Sequence, residues 1–288
     1  MITIFTPTFN RAYILPSLYQ SLCAQTCKDF EWLVVDDGST DNTAELIASF
    51  QEDGRIVIRY FKKENGGKHR AINYGVERAK GEAFFIVDSD DKLPIDSIST
   101  VTEYFSQIVD NNEFAGVSGF RIYPDGRKIG NGTYPLIDTD SVSIREKYHV
   151  KGDMAEVFKI SVLKQYPFPC FEGEKFITEE TVWSQIAQKY KLSYFYKGIY
   201  CCEYLEDGLT KNIRKQFRNS PLGTMKAYSM YMRQKRTFKT KVISAINYWR
   251  YTWNYKKVRP IELRPPYWSY CFYPLGVLFY YLDIRKEK

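Results

Sequence analysis

Along the first third of the chain the apolar positions switch repeatedly between two periods. Short, mostly apolar runs at Ile2–Phe5, Glu31–Asp36, Ile56–Phe61 and Ala83–Asp88 read as buried strands. Between them apolar residues recur at helical spacing: Ile14, Leu15, Leu18 and Leu22, then Leu46, Ile47 and Phe50, then Ala71, Tyr74 and Ala79 within Arg70–Lys80. Ser39 or Thr40 can cap the second of these helices, and Gly81 stops the third. Strands separated by helices of this length predict βαβ units, hence an α/β fold with a mostly parallel sheet flanked by helices. Ligands of such sheets bind beyond the carboxyl ends of the strands. Three polar clusters fall there, Thr6–Arg11, Asp36–Asp41 and Asp88–Asp91, and the pattern predicts that they line one cleft.

Further on, Ile98, Val101, Phe105 and Ile108 mark another helix, and Ala115–Tyr123 and Leu192–Glu203 further strands. Residues 124–150 are rich in Gly, Asp and Pro and read as a loop able to border a second substrate. Val182, Ile186 and Ala187 predict a helix opening at Thr178-Glu179-Glu180. Beyond residue 210 the text turns basic and aromatic, with weak helical periodicity, and no internal repeat is visible.

Composition sharpens this picture at one point. A chain of 288 residues with 44% apolar residues is globular rather than disordered. The net charge of +7 conceals an asymmetry: residues 1–204 hold 23 Lys+Arg against 29 Asp+Glu, whereas residues 205–288 hold 18 against 5. A slightly acidic body therefore carries a strongly basic tail. Such a tail suits nucleic acid, anionic lipid or a phosphorylated ligand. No nucleic-acid-binding module is recognisable, so nucleic acid is not expected as a partner. An anionic membrane surface is, with Lys and Arg at the headgroups beside Tyr267, Trp268, Tyr270, Phe272 and Tyr273. The alternative is a tail that packs on the body with a solvated basic face. Residues 1–7 show neither a basic leader nor a long apolar stretch, and no run reaches the ~18–20 apolar residues of a spanning helix. The expectation is a cytoplasmic protein, peripheral at most to the inner face of a membrane. Six cysteines without a metal-type pair are expected as reduced thiols.

The sharpest chemical feature is Phe84-Phe85-Ile86-Val87-Asp88-Ser89-Asp90-Asp91. Side chains alternate along extended chain, so Asp88 and Asp90 can face the same side. Two convergent carboxylates repel each other unless a cation lies between them. A hard divalent ion, Mg²⁺ or Mn²⁺, carrying a phosphorylated ligand is the natural occupant. Asp91 can serve instead of Asp90 or beside it. A solvated acidic turn is the plain alternative.

Five pieces in order carry a resemblance: Thr6-Pro7-Thr8-Phe9-Asn10-Arg11, Asp36-Asp37-Gly38-Ser39-Thr40-Asp41, Asn65-Gly66-Gly67 with Ala71-Ile72-Asn73-Tyr74-Gly75, Asp88-Ser89-Asp90-Asp91, and Glu179-Glu180-Thr181-Val182-Trp183. Together they resemble the signature of family 2 glycosyltransferases, covering roughly the first hundred residues plus the later acidic pair. The resemblance implies a GT-A fold, Rossmann-like, with a nucleotide-sugar donor, a divalent metal and inversion at the anomeric carbon. It implies nucleotide-sugar contacts from Thr6, Pro7, Thr8, Asn10, Asp37, Asn73 and Asp88, with Asp37 accepting from the uracil N3–H. Asp88, Asp90 and Asp91 become the metal ligands, and Glu180 the catalytic base with Glu179 beside it. The usual residue at the base position is Asp, so Glu180 is a departure that lengthens the arm. Lys68 and His69 stand where small residues are usual, and both could reach a diphosphate. Lys211, with Arg214, falls where relatives close a loop over the diphosphate.

The resulting domain reading is a catalytic domain over 1–210, split into a nucleotide-sugar part (1–123) and an acceptor part (124–210), followed by a basic aromatic extension (211–288). The function expected is transfer of a sugar, from a UDP-sugar, to a glycan or lipid-linked acceptor of a cell-surface polysaccharide. A sugar-1-phosphate nucleotidyltransferase would need a Gly-rich phosphate loop after its first strand, and Thr6–Arg11 contains no glycine. A non-catalytic nucleotide-sugar-binding or membrane-scaffold protein is the other alternative.

Overall fold

The structure, a computed structural model, describes residues 1–202, 212–253 and 255–287. The chain forms two compact units. One comprises Met1–Pro167 and Gln185–Leu205, the other Phe168–Ser184 and Glu206–Lys288.

The first unit opens with β1 (Ile2–Thr8), α1 (Leu15–Cys23), β2 (Phe30–Asp36), α2 (Thr43–Asp53), β3 (Val57–Lys62), α3 (Lys68–Arg78), β4 (Ala83–Ile86) and α4 (Ser97–Ser106). It continues through β5 (Phe114–Ile122), β6 (Ile137–Thr139), α5 (Ser143–Glu146), β7 (Met154–Lys159) and α6 (Ile160–Leu163). α7 (Glu180–Ile186) lies at the division between the units, and β8 (Lys191–Cys201) returns to the sheet. The eight strands run in the order β3-β2-β1-β4-β7-β5-β8-β6. The β3-β2-β1-β4 half is wholly parallel, as the alternating periods predict, and the sheet matches the expected α/β class.

β7, which the sequence reading missed, sits antiparallel between β4 and β5. Its polar Glu156 and Lys159 break the apolar run. Buried Lys159 is satisfied by donating to the Asn111 carbonyl at 2.7 Å. Gly116 permits the close approach of β5: a Cβ there would stand 2.0 Å from the Val157 carbonyl oxygen. β6 falls inside the stretch read as loop, three residues paired to β8.

The core around β1 and β2 is aromatic. Tyr19 stacks on Phe50 at 4.0 Å, with Trp32 beside them, and Phe5 stacks on Phe84 at 4.9 Å. α3 packs unusually close to β1, because Gly75 has no side chain. A Cβ at Gly75 would lie 2.2 Å from Phe5 Cε2.

The second unit adds α8 (Ile213–Asn219), α9 (Pro221–Arg233), α10 (Phe238–Thr252) and α11 (Tyr273–Glu287), with 3-10 turns at Ile261–Leu263 and Tyr267–Phe272. Met225, Met232, Ala245, Tyr248, Trp249 and Leu263 form its core. Asp283 is buried and takes Arg250 in a forked pair at 2.7 and 2.6 Å, with Arg214 at 3.3 Å. Burial would raise its pKa, but the arginines hold it below the usual carboxylate range. Much of the tail is therefore a folded helical unit, with part of its basic charge directed inward. Among the described residues no helix is long and apolar enough to cross a membrane.

The contact at Gly75 yields a stability test. Ala at a helical glycine gains about 1 kcal/mol in propensity, whereas overpacking costs about 1–3 kcal/mol. Clash with a ring that has no room to move should win. Gly75→Ala is expected to lower stability by urea unfolding, and Gly75→Val to lower it further; a stabilised Gly75→Ala would contradict the close packing.

Candidate active site

β1 and β2 lie in register, Thr8 beside Asp36, so the loops leaving them emerge together. Asn10 adopts a left-handed backbone, φ 54°, which Asn tolerates better than most residues. Its N–H donates to Ser39 Oγ at 2.8 Å and its Oδ1 accepts from the Thr40 N–H at 2.8 Å. Buried Asp36 accepts from the Ser39 N–H at 2.7 Å and from the Tyr60 hydroxyl at 2.6 Å. Asn10 thus holds the two loops together rather than standing free.

Asp37 is buried and does more than cap a helix. Its carboxylate accepts from Lys63 Nζ at 2.6 Å and from the N–H groups of Gly66 (3.0 Å) and Gly67 (2.7 Å). Gly67 has φ 95°, which suits glycine, and it immediately precedes α3. One carboxylate therefore joins the end of β2 to the start of α3. Thr6 is fully buried and its hydroxyl accepts from Trp32 Nε1 at 2.9 Å, so its side chain supports the site through the core. Pro7 is half-buried in β1. Thr8 is buried with its hydroxyl lacking a hydrogen-bond partner, a polar atom suited to a ligand.

At the end of β4, Asp88 pairs with Lys68 Nζ at 2.6 Å, and its N–H donates to the Tyr200 hydroxyl at 2.9 Å. That hydroxyl in turn donates to Asp91 Oδ2 at 2.6 Å. Burial would raise the pKa of Asp88, but Lys68, Arg121 and Arg11 hold it below the usual range. Asp90 is half-buried, and burial and the Asp88 charge push its pKa up. The same two causes push buried Asp91 up to about 7, against the Tyr200 hydrogen bond. Arg121 places its guanidinium 4.3 Å from the centre of the Tyr200 ring, and the acidic neighbours raise its pKa although burial opposes its charge.

The charge of Asp88 thus disfavours that of Asp90, a strain that a hard cation between them would relieve. Asp91 is buried, and its Oδ2 accepts from the Tyr200 hydroxyl. Among the described residues no group of three or more His, Cys, Asp or Glu is placed to hold a metal ion. A cation here would draw the rest of its shell from phosphate and water.

α3 starts at Lys68, not Arg70, and its buried side runs through His69, Ile72 and Val76 at helical spacing. His69 is therefore buried and its Nδ1 has no hydrogen-bond partner. Burial, helped by the nearby Arg70, pushes its pKa down to about 4. Asn73 is half-buried on the same helix.

Glu179 and Glu180 belong to the second unit. Glu179 lends its carbonyl to the first turn of α7, accepting from the Val182 N–H at 2.9 Å. Glu180 begins that helix and accepts from Arg236 Nη2 at 2.7 Å. Arg236 is 9% exposed and Glu180 42%, so an anchored guanidinium fixes a carboxylate that still reaches solvent. Gln234 steadies the pair, receiving from Arg236 Nε at 3.3 Å and donating to the Ser184 carbonyl at 3.1 Å. Arg214 pairs with Asp283 inside the second unit. Lys211 lies outside the described residues.

Residues 3–159 match the family model described as Glycosyl transferase family 2. The chain belongs to that family. Among curated relatives, it is 27% identical over 247 residues to the GalNAc(5)-diNAcBac-PP-undecaprenol beta-1,3-glucosyltransferase of Campylobacter jejuni, covering 83% of this chain and 77% of the relative. It is 34% identical over 186 residues to glycosyltransferase GlyA of Streptococcus pneumoniae, covering 61% of this chain and 25% of GlyA. An uncharacterized glycosyltransferase of Rickettsia conorii matches at 35% over 44% of this chain, which spans only 20% of that relative. Several curated relatives are thus four to five times longer than the stretch matched. Two solved structures share the fold: S. aureus TarS 1–349 in complex with UDP-GlcNAc (TM-score 0.63, 16% identity, 96% of this chain and 79% of that one) and the Pyrobaculum calidifontis mannosyltransferase PcManGT with GDP-Man and Mn²⁺ (TM-score 0.58, 15% identity, 96% and 73%).

In this family 2 protein the sequence reading overlooked Lys63, Arg121, Tyr200 and Arg236. Arg121 left one signal, a charge inside the otherwise apolar strand Ala115–Tyr123. The others show their roles only through contacts distant in sequence.

Buried His69 makes a pH test. Its folded pKa lies below the ordinary value, so between pH 6.5 and about 4 the unfolded chain binds a proton that the folded chain refuses. Stability should fall by about 1–2 kcal/mol on acidification from pH 6.5 to pH 5 through this group. NMR titration of the His69 ring, assigned with His69→Gln, is expected to give a midpoint near 4. A midpoint near the ordinary histidine value would contradict the burial.

Proposed function

We propose that this chain is an inverting glycosyltransferase that moves a sugar from a UDP-sugar to a hydroxyl of a glycan or lipid-linked acceptor. The observation that carries the reading is the joined ends of β1, β2 and β4. There Thr8, Asp37, Asp88 and Asp90, with Lys68 paired to Asp88, gather nucleoside-type and diphosphate-type contacts in one unit. The nucleotide of the TarS complex and the undecaprenol in the name of the Campylobacter relative support the UDP donor and the lipid-linked acceptor.

In this reading the uracil N3–H donates to Asp37, whose position is set by Gly66 and Gly67. Thr8 supplies its buried hydroxyl to the nucleoside. Lys68 turns from Asp88 toward the phosphates as the donor arrives, placing a positive charge where the leaving group gains negative charge. Asp88 and Asp90 would hold Mg²⁺ or Mn²⁺, which when bound supplies further charge stabilisation to the departing diphosphate.

Glu180 accepts the proton of the acceptor hydroxyl as its oxygen attacks the anomeric carbon and the bond to UDP breaks. Attack from the face opposite the leaving group inverts the configuration. Arg236 sets the direction of Glu180, whose carboxylate remains partly exposed to an arriving acceptor.

Removing the proton acceptor while keeping shape gives the test. Glu180→Gln is expected to bind UDP with unchanged affinity while turnover falls by about 10²–10⁴-fold, read as UDP release with an acceptor sugar present. Glu179→Gln is the matched control and should retain most turnover. Turnover untouched in Glu180→Gln removes it as the base.

A further inference from the structure

α11 is built inside out. Gly276, Phe279 and Asp283 repeat at helical spacing on one side. Gly276 lies so close to α10 that a Cβ would stand 2.4 Å from Trp249 Cβ. Asp283 is bound by Arg250, whose guanidinium also lies 5.5 Å from the Phe279 ring centre. The inward side of α11 thus carries its buried acid. The outward side shows Leu275, Leu278, Tyr281 and Leu282 to solvent, closed off by exposed Arg285. The 3-10 turn directly before α11 is exposed as well, with Tyr267 95% exposed and Trp268 and Tyr270 each more than a third exposed. Apolar side chains at spacings of three and four, all outward, form a stripe that folding of this unit does not require.

We propose that this face docks onto an anionic lipid bilayer, lying in its interface with the leucines toward the acyl chains and Tyr267 and Trp268 at the headgroups. Charge selects this occupant over a second copy of the chain. Residues 205–288 hold 18 Lys+Arg against 5 Asp+Glu, and Asp283 is already matched internally. Exposed Lys256, Lys257 and Arg264 lie in the segment leading into the turn. Two such surfaces would repel each other, whereas anionic lipid supplies the missing charge. Length argues for lying flat. At 15 residues α11 spans about 22 Å, short of the ~30 Å hydrocarbon core. A bilayer-held chain would meet lipid-linked acceptors in the plane of the membrane, though docking itself does not depend on the donor reading.

Vesicle flotation of the full chain tests this, using phosphatidylcholine vesicles with and without phosphatidylglycerol. Wild type is expected to float only with the anionic vesicles, and added salt should weaken the association. Leu278→Asp with Leu282→Asp, both exposed and outside the core, should weaken it by about tenfold or more with an unchanged melting curve. Lys256→Glu with Lys257→Glu should weaken it as well. Equal flotation with both vesicle types, or flotation untouched by the leucine pair, overturns the proposal. So does a dimer in sedimentation velocity that the leucine pair dissolves, since the face would then belong to a second copy. A vesicle result stands whether or not UDP-sugar turnover is detected, so docking and donor chemistry can fail separately.

Discussion

Crowded negative charge at the end of β4 is the constraint around which the first unit is arranged. Asp88, Asp90 and Asp91 follow a largely buried strand, with Asp91 buried and Asp88 and Asp90 partly so, where water disperses their repulsion poorly. Each has a different remedy. Asp88 takes Lys68, with Arg121 and Arg11 adding positive potential. Asp91 takes the Tyr200 hydroxyl and is pushed up to about 7. Asp90 has its pKa raised by burial and by the Asp88 charge. A carboxylate held in this way has most to gain from an arriving cation.

The remedies depend on distant parts of the fold. Lys68 can reach Asp88 only because α3 begins at the Asn65-Gly66-Gly67 turn, and that turn is held by Asp37 at the end of β2. Tyr200 comes from β8, and Arg121 from β5, beyond the antiparallel β7. The parallel half of the sheet positions the acidic loop and supplies Lys68 and Arg11, and the mixed half adds Arg121 and Tyr200. The helical unit repeats the device at Asp283, where inward-facing arginines stabilise one buried acid. In both units buried charge is tolerated because it is matched by groups brought from separate elements.

Much of this was legible in the residues. Clean alternation of apolar runs and helical periods located β1 to β4, and the three polar clusters do fall at the ends of β1, β2 and β4. What could not be read was any partner supplied from far along the chain. Nothing near Tyr200 in sequence marks it as the tie between Asp88 and Asp91. β7 was hidden because Glu156 and Lys159 interrupt its apolar text, although Lys159 is buried with a partner. α3 starts two residues earlier than the sequence pattern suggested, and once it starts at Lys68 the period of 3.6 carries His69 inward with Ile72 and Val76. The basic tail concealed its helices because apolar residues on α11 face outward as well as inward, which blurs the periodicity.

The central claim is that Asp88 and Asp90 form a cation-dependent seat for a nucleoside diphosphate. Calorimetric titration with UDP, with and without Mn²⁺, on wild type and Asp90→Ala tests it most directly. The account predicts that Mn²⁺ strengthens UDP binding to wild type and that Asp90→Ala abolishes the gain. Equal UDP affinity in both proteins, whether or not the metal is present, would contradict it.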